Sequence, residues 1–385
     1  MRLSFRRRLA CLGWLVVAST GCGEAPPAPT HSVSGSVRGD VAAQVLVTLS
    51  GDRSASMTTY ASGNYSFGGL SDGSYTLTAS RAGFRFLPRQ LTVSLSGRDL
   101  ILLDFSSCDV GNWCEEPTPA STGAANLNGL WGSAPGDVWV VGSLGTTLHW
   151  DGETWSSVPS GTGGTLQAVW GSGPDDVWIV GVVGTLLHWN GSAWSSVPSG
   201  TNETLQAVWG SGPSDVWAVE QFGTSIHHWD GKVWVTHDLG TYSQMNAVWG
   251  SGPSDVWAAG RDAVLHWDGE AWGTVLGDPL DPPRVNAVWG SGANDVWAVG
   301  DSGRILRWDG SAWSAVASPA IESLHAVWGS GPDDVWAGGT SGIFHWNGSV
   351  WSQSAGSGTF DTFALWGGAS DVWALTYSRI ARHPP

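Results

Sequence analysis

The segment LQAVWGSGPDDVWIVGVVGTLLHWNGSAWSSVPS, residues 166–199, holds four short apolar runs, AVWGS, DVWIVG, TLLHW and AWSSVP, separated by turn residues. Its third and fourth runs are joined by Trp189-Asn190-Gly191, and Asn-Gly or Asp-Gly between apolar runs is the strongest short hairpin signal. The same pattern recurs with its first Trp at 131, 170, 209, 249, 289, 328 and 366, a spacing of 38 to 40 residues. No 3.6-residue apolar period is present. A period near 40 with four β segments predicts propeller blades, seven of them, starting near residues 127, 166, 205, 245, 285, 324 and 362.

Tryptophan placement fixes the closure. Of 28 Trp, all but Trp14 and Trp113 fall on four repeated positions, and the seventh repeat stops after Arg379-Ile380-Ala381-Arg382-His383 without a fourth strand. Gly111-Asn112-Trp113-Cys114-Glu115-Glu116-Pro117 aligns with Gly191–Pro198, so an N-terminal strand at 111–117 is expected to complete the seventh blade. Such closure removes both exposed sheet edges. Both faces of a blade meet neighbours, which accounts for adjacent Val and Trp in Asp-Val-Trp; each indole can bury roughly 150–250 Å².

This motif resembles the BNR-like propellers, a group that includes sialidase Asp-box repeats and the photosystem II assembly factor. Gly152-Glu153-Thr154-Trp155 keeps the Gly-x-Thr-Trp end of an Asp box, whereas Asp151 stands directly before Gly152 instead of two residues earlier. The resemblance therefore implies fold and not activity.

Residues 31–107 read as period-2 strands, with apolar faces such as Val45, Val47 and Leu49 or Tyr75, Leu77 and Ala79, and predict two small sheets packed face to face. The run Gly63 to Ala79 followed by Gly83-Phe84, with Val33-Ser34-Gly35 before it and Asp104-Phe105 after, resembles the carboxypeptidase regulatory-like domain, which implies a transthyretin-like sandwich grouped with carbohydrate-binding-like folds. No HxxE or HExxH accompanies it. Tyr60, Tyr65, Tyr75, Phe84 and Phe86 could stack on a sugar, but in alternating strands aromatics are first of all core.

The fold class expected is thus all-β: a sandwich at 31–107, then a seven-bladed propeller over 108–385. Ahead of them, Arg2, Arg6, Arg7 and Arg8 precede an apolar run from Leu9 to Ala18, the order of an export signal, and the run is too short to span a bilayer. Ser19-Thr20-Gly21-Cys22 resembles a bacterial lipobox, with Ser19 where that family prefers Leu. It implies cleavage after residue 21, lipid on Cys22 and a Pro-rich tether over 22–30, hence an exported chain anchored in the cell envelope, at the outer membrane.

Of 385 residues, 42% are hydrophobic and 13% charged, which excludes a disordered chain. With 17 basic against 33 acidic residues the formal charge is −16; losing four Arg with the signal leaves 13 against 33, or −20. That balance repels nucleic acid and anionic membrane surfaces. Cys108 and Cys114 would pair in an oxidising compartment; two buried free thiols are the alternative, and a metal site would need ligands that are not nearby.

Asp137, Asp176, Asp215, Asp255, Asp295, Asp334 and Asp371 form a sevenfold set beside the turn between strands one and two. One carboxylate per blade cannot share a calcium ion, so capping of the turn backbone is the expected role. His149, His188, His228, His266 and His345 repeat in strand three, with Arg307 and Arg382 in two other blades, and are read as structural. Ligand chemistry is expected where blades differ, in the two-to-three turns and the four-to-one connections on one face. There Glu220-Gln221-Phe222 replaces a glycine-containing turn, and Arg261, Arg284, Arg304 and Arg379 gather with Tyr242 and Tyr377, a set suited to a glycan carboxylate or a partner's acidic loop.

The function expected is non-enzymatic: a monomeric envelope lipoprotein whose propeller binds a protein or a glycan, with no cofactor, no metal, no nucleic acid and membrane contact through lipid alone. Two alternatives stand beside it, a sialidase-like glycoside hydrolase and a secreted adhesin without the anchor.

Overall fold

Alternating burial along the first strands builds the sandwich. The computed structural model describes residues 30–119, 125–277, 283–357, 360–368 and 371–383, without the side chains of 240–243; the export signal, Cys22 and the tether through residue 29 lie outside the described residues. Strands β1 (His31–Gly39), β4 (Asn64–Leu70), β6 (Phe84–Leu87) and β8 (Phe105–Asp109) form one sheet in the order β4-β1-β8-β6. Strands β2 (Leu46–Gly51), β3 (Ala55–Thr58), β5 (Gly73–Ser80) and β7 (Leu91–Leu95) form the other, in the order β3-β2-β5-β7. Their facing side chains, among them Val33, Val47, Leu49, Tyr65, Tyr75, Leu77 and Phe105, make one closed core. Tyr65, Tyr75 and Phe86 are spent in that core and Phe84 is half-buried, leaving Tyr60 alone of the five aromatics exposed.

Seven four-stranded antiparallel sheets follow. Blade one comprises β10 (Leu127–Ala134), β11 (Asp137–Gly142), β12 (Thr147–Trp150) and β13 (Trp155–Ser157), and the next five repeat it from Leu166, Leu205, Met245, Val285 and Leu324. Blade seven consists of β34 (Ala364–Gly368), β35 (Asp371–Leu375) and β36 (Ile380–His383), and its fourth strand is β9 (Cys114–Glu116), with Ile380 opposite Glu116 and Arg382 opposite Cys114. The first strands of neighbouring blades pack side by side, and β34 against β10 completes the circle. The closing strand expected from the Trp count is therefore present.

Tryptophan forms the joints between blades. The second-strand indole of one blade enters between the third- and fourth-strand indoles of the next: Trp139 lies 5.1 Å from Trp189 and 5.2 Å from Trp194, and Trp373 lies 5.5 Å from Trp150 and 5.6 Å from Trp155. A second ring lies nearer the axis. There each first-strand Trp covers a glycine of the next first strand, from Trp131 over Gly171 round to Trp366 over Gly132, leaving no room for a side chain.

A disulfide joins Cys108, on β8 of the sandwich, to Cys114, on β9 of the propeller. It pins the short connection at the point where the chain passes from one core to the other. Arg85 on β6 reaches Asp371, at the start of β35, at 3.4 Å. The sandwich thus contacts the propeller face that carries the one-to-two turns.

Candidate functional site

In strand one of each blade the leading apolar residue packs inward, and the next residue is left on the axial wall. Those next residues are Asn128, Gln167, Gln206, Asn246, Asn286, His325 and, before β34, Phe363. With Asn126, Gln244 and Tyr377 they line a cavity of about 340 Å³ at the mouth of the axial channel, on the face opposite the sandwich contact. Seven carboxamides converge there, and among the described residues no Asp, Glu, Lys or Arg is in the lining.

Part of the amide chemistry is committed to the ring itself. Asn128 Nδ2 donates to the Leu166 carbonyl at 2.8 Å, Asn246 to Val285 at 2.8 Å and Asn286 to Leu324 at 2.9 Å, each tying its blade to the next. Gln206 Oε1, by contrast, is buried without a hydrogen-bond partner, an acceptor that burial normally leaves unsatisfied only at a cost of about 1–3 kcal/mol. An aromatic ladder stands on one side of the mouth: His325 stacks on Phe363 at 5.4 Å and 14°, and Phe363 contacts Tyr377 at 4.4 Å. A carboxamide offers both donor and acceptor, and an aromatic face takes apolar edges, so this wall suits a neutral ligand rich in hydrogen-bonding groups.

Of the residues singled out in the sequence, Tyr377 belongs to the mouth and the four arginines do not. Arg379 pairs with Glu115 at the outer edge of blade seven. Arg304 lies in a separate groove with Val275, Leu276, Pro283, Leu306 and Trp313, its Nη1 3.4 Å from the Pro283 carbonyl. Arg284 N–H donates to the Arg261 carbonyl at 3.0 Å, placing these two side by side at the boundary of blades four and five. The side chain of Tyr242 is outside the described residues. Glu220 turns inward: its Oε1 accepts from Thr201 at 2.8 Å and lies 3.0 Å from His227 Nε2, both partners of the pair being buried.

The expectation that the Asp ring caps turn backbone is corrected. Asp176 Oδ2 accepts from Ser172 Oγ at 2.5 Å and its Oδ1 lies 2.6 Å from His188 Nε2, while the His188 ring stacks 4.2 Å from Trp178. The same Ser–Asp–His–Trp set recurs in blades one, three, four and six, and Arg307 and Arg382 replace His in blades five and seven, each guanidinium 4.7 Å from its Trp ring. The carboxylates therefore bind strand three to the one-to-two turn through side chains, because a third-strand His or Arg reaches them across β-strand spacing. At Asp137 and Asp215 burial opposes ionisation, but hydrogen bonds from His149 and Ser133, or from His228 and Ser211, outweigh it and hold the carboxyl below its usual range. Backbone capping is done elsewhere, in the three-to-four hairpins: Asp309 Oδ1 accepts from the Ser311 and Ala312 N–H groups at 2.8 and 2.9 Å, and Gly310 takes a φ of 94°. Among the described residues no three His, Cys, Asp or Glu side chains are grouped to hold a metal ion.

The carboxypeptidase regulatory-like family matches residues 32–102, the sandwich. Comparison with curated proteins finds no match to this chain. Among solved structures the chain is similar to YCF48 from Cyanidioschyzon merolae, at 17% identity and a TM-score of 0.57 over 70% of this chain and 98% of that one. It is also similar to YCF48 bound to D1 peptide, at 16% and 0.57 over 71% and 94%. A catalytically inactive virginiamycin B lyase from Staphylococcus aureus with quinupristin follows at 13% and 0.60 over 70% and 98%. At these identities the likeness to solved structures is one of fold alone, a β-propeller, and it follows the sandwich that the family matches.

Proposed function

We propose that this chain is a non-enzymatic binding module of the bacterial envelope, anchored through lipid on Cys22, whose propeller mouth receives an extended, uncharged polypeptide segment of a partner. The observation that carries this reading is the convergence of seven carboxamides on one cavity, with no charged residue among the described residues of its lining. Each peptide group offers one donor and one acceptor, and a carboxamide pairs with both. Hydrolysis of a glycoside would need a pair of carboxylates facing the bond, and the described residues of the mouth supply none. The contact of the sandwich with the other face agrees with a role as spacer between anchor and propeller. One relative in fold was solved with a peptide, which is consistent with a peptide in the mouth.

A neutral glycan is the second reading, favoured by the His325–Phe363–Tyr377 ladder. Crosslinking with a photoreactive group at Asn126, on the rim, followed by mass spectrometry of the captured species separates the two. A protein segment captured by the full chain and lost in a Gln167→Ala/Gln206→Ala/Asn246→Ala variant supports the peptide reading. A glycan captured with the same dependence replaces it, and capture unaffected by the triple substitution sinks both.

A further inference from the structure

A second cavity, of about 420 Å³, lies where the sandwich meets blades seven and one, lined by Arg85, Arg89, Pro135, Gly136, Gly152, Asp371 and Arg382. Three guanidiniums face one carboxylate. On a chain with 17 basic residues, four of them ahead of Cys22, such a gathering is out of proportion to the supply. The arginines come from different places: Arg85 from the edge strand β6, Arg89 from just beyond it, and Arg382 from β36.

The charges do not cancel. Asp371 is shared between Arg382, through Nη2, and Arg85, at 3.4 Å. Arg382 is 5% exposed in its side chain, its Nη1 lies 3.8 Å from Glu116, and its Nε is buried with no hydrogen-bond partner. Arg89 is exposed and makes no ion pair among the described residues. Glu116 and Asp371 together are two carboxylates against three guanidiniums, and burial pushes the Glu116 carboxyl up against the pull of Arg382 and Arg85. Arg85 is pushed down by burial and next by the Arg382 charge, while Asp371 and Glu116 act the other way. The opposite wall is bare backbone: a side chain added at Gly136 would meet only Gly152, 3.7 Å away.

We propose that this cleft is an oxyanion site, in which a phosphate group is held by Arg85, Arg89 and Arg382 and bridges the sandwich to the propeller. A guanidinium matches phosphate through parallel N–H···O bonds, and a tetrahedral anion presents oxygens in three directions where a planar carboxylate presents two. A ligand that contacts both domains, and that the unfolded chain does not bind, stabilises their docked arrangement. The phosphate belongs either to a soluble ion or ester or to a phospholipid headgroup; the chemistry is shared.

The test is calorimetric titration of the full chain with orthophosphate at constant ionic strength, with formate as the planar comparison. Binding of phosphate that is at least about tenfold weaker in Arg89→Ala, lost in Arg85→Ala/Arg89→Ala and unchanged in Arg98→Ala is the expected result. Arg89 and Arg98 are exposed, so their substitution leaves the fold intact and keeps the comparison clean. No phosphate binding, equal affinity in Arg89→Ala, or formate binding as tightly as phosphate would overturn the proposal. Co-sedimentation with phosphatidylcholine vesicles, with and without phosphatidylglycerol, identifies the source. An Arg89-dependent gain on phosphatidylglycerol assigns the headgroup, and phosphate binding without that gain assigns the soluble anion.

Discussion

Trp113 and Trp336 meet edge to face, with ring centroids 5.9 Å apart and planes at 82°. Trp113 stands at the start of the closing strand and Trp336 in the second strand of blade six, so this contact repeats between blades six and seven what Trp139 and Trp194 do between blades one and two. His383 takes the place of the third-strand Trp, 5.4 Å from Trp336. The joint therefore depends on one indole that arrives from the far end of the propeller. Removing a buried Trp side chain costs about 3–5 kcal/mol. Trp113→Ala is expected to lower unfolding free energy by that amount in denaturant melts, and an effect below about 1 kcal/mol would mean that the ring does not need its closing strand.

The inner ring makes a sharper contrast within one strand. An added Cβ at Gly210 would lie 2.6 Å from Trp170 and 2.5 Å from the Asp215 carbonyl, whereas at Gly212 it meets nothing within 4 Å. Gly210→Ala should therefore cost about 1–3 kcal/mol through forced displacement of an indole and a strand. Gly212→Ala should stay within about 0.5 kcal/mol of the parent. Thermal melts of the two variants side by side check this, and equal behaviour would refute the close packing.

Asp215 sits in an environment that two blades satisfy with Arg in place of His. His228→Arg should preserve the bond to Asp215 and the stacking on Trp217, while His228→Leu leaves Asp215 only its Ser211 and Trp217 donors, at a cost of about 1–3 kcal/mol. The pH dependence follows from the depressed carboxyl. Its contribution is full above the unfolded carboxylate range and is lost as pH falls through the lower folded value. In His228→Leu the loss begins at higher pH. Stability measured from pH 7 down to 3 reads the difference, and parallel curves would contradict it.

Blade number, strand order and ring closure were legible because they rest on repetition: a period, four Trp positions and one Trp left over at 113. The sandwich was legible because alternation in Val45, Val47 and Leu49 shows directly which face is buried. The mouth was not, because ligand chemistry is expected where repeats differ and this wall lies where they agree. The carboxamide ring is written where they agree, one residue after each strand-one head, as Asn128, Gln167, Gln206, Asn246 and Asn286. Nor could the pairing of Asp176 with His188 be read, since side chains 12 residues apart meet only once β-strand register is known. The turn that carries Arg379 does not show its partner, because Glu115 comes on a strand from the other end of the propeller.

Hairpin capping gives a proton-coupled prediction that depends on an exposed residue. Hydrogen bonds from the Ser311 hydroxyl, then from the Ala312 and Ser311 N–H groups, bring the Asp309 carboxyl down to about 2. Its stabilising effect is full above 3.8 and disappears as pH falls through about 2. Asn190 and Asn347 make the same caps in other blades, so Asp309→Asn should leave stability at neutral pH unchanged while removing this part of the acid sensitivity. Carboxyl NMR titration of Asp309 is the direct check. A midpoint near the ordinary 3.8 would mean that the cap does not persist in solution.

The unpartnered Gln206 oxygen separates stability from function. A protein that folds for its own sake gains nothing from a buried acceptor with no donor, and replacing such a group with an apolar one of similar shape is neutral or stabilising. Gln206→Met should therefore hold or raise the melting temperature. If the mouth receives a partner's N–H groups, the same change should weaken capture of that partner, by roughly tenfold for the loss of one buried hydrogen bond worth about 1.5 kcal/mol. A variant that gains stability and loses binding places the cost of the orphan oxygen in recognition. A variant that loses stability shows that Gln206 supports the ring itself, and the mouth would then be framework and not a site.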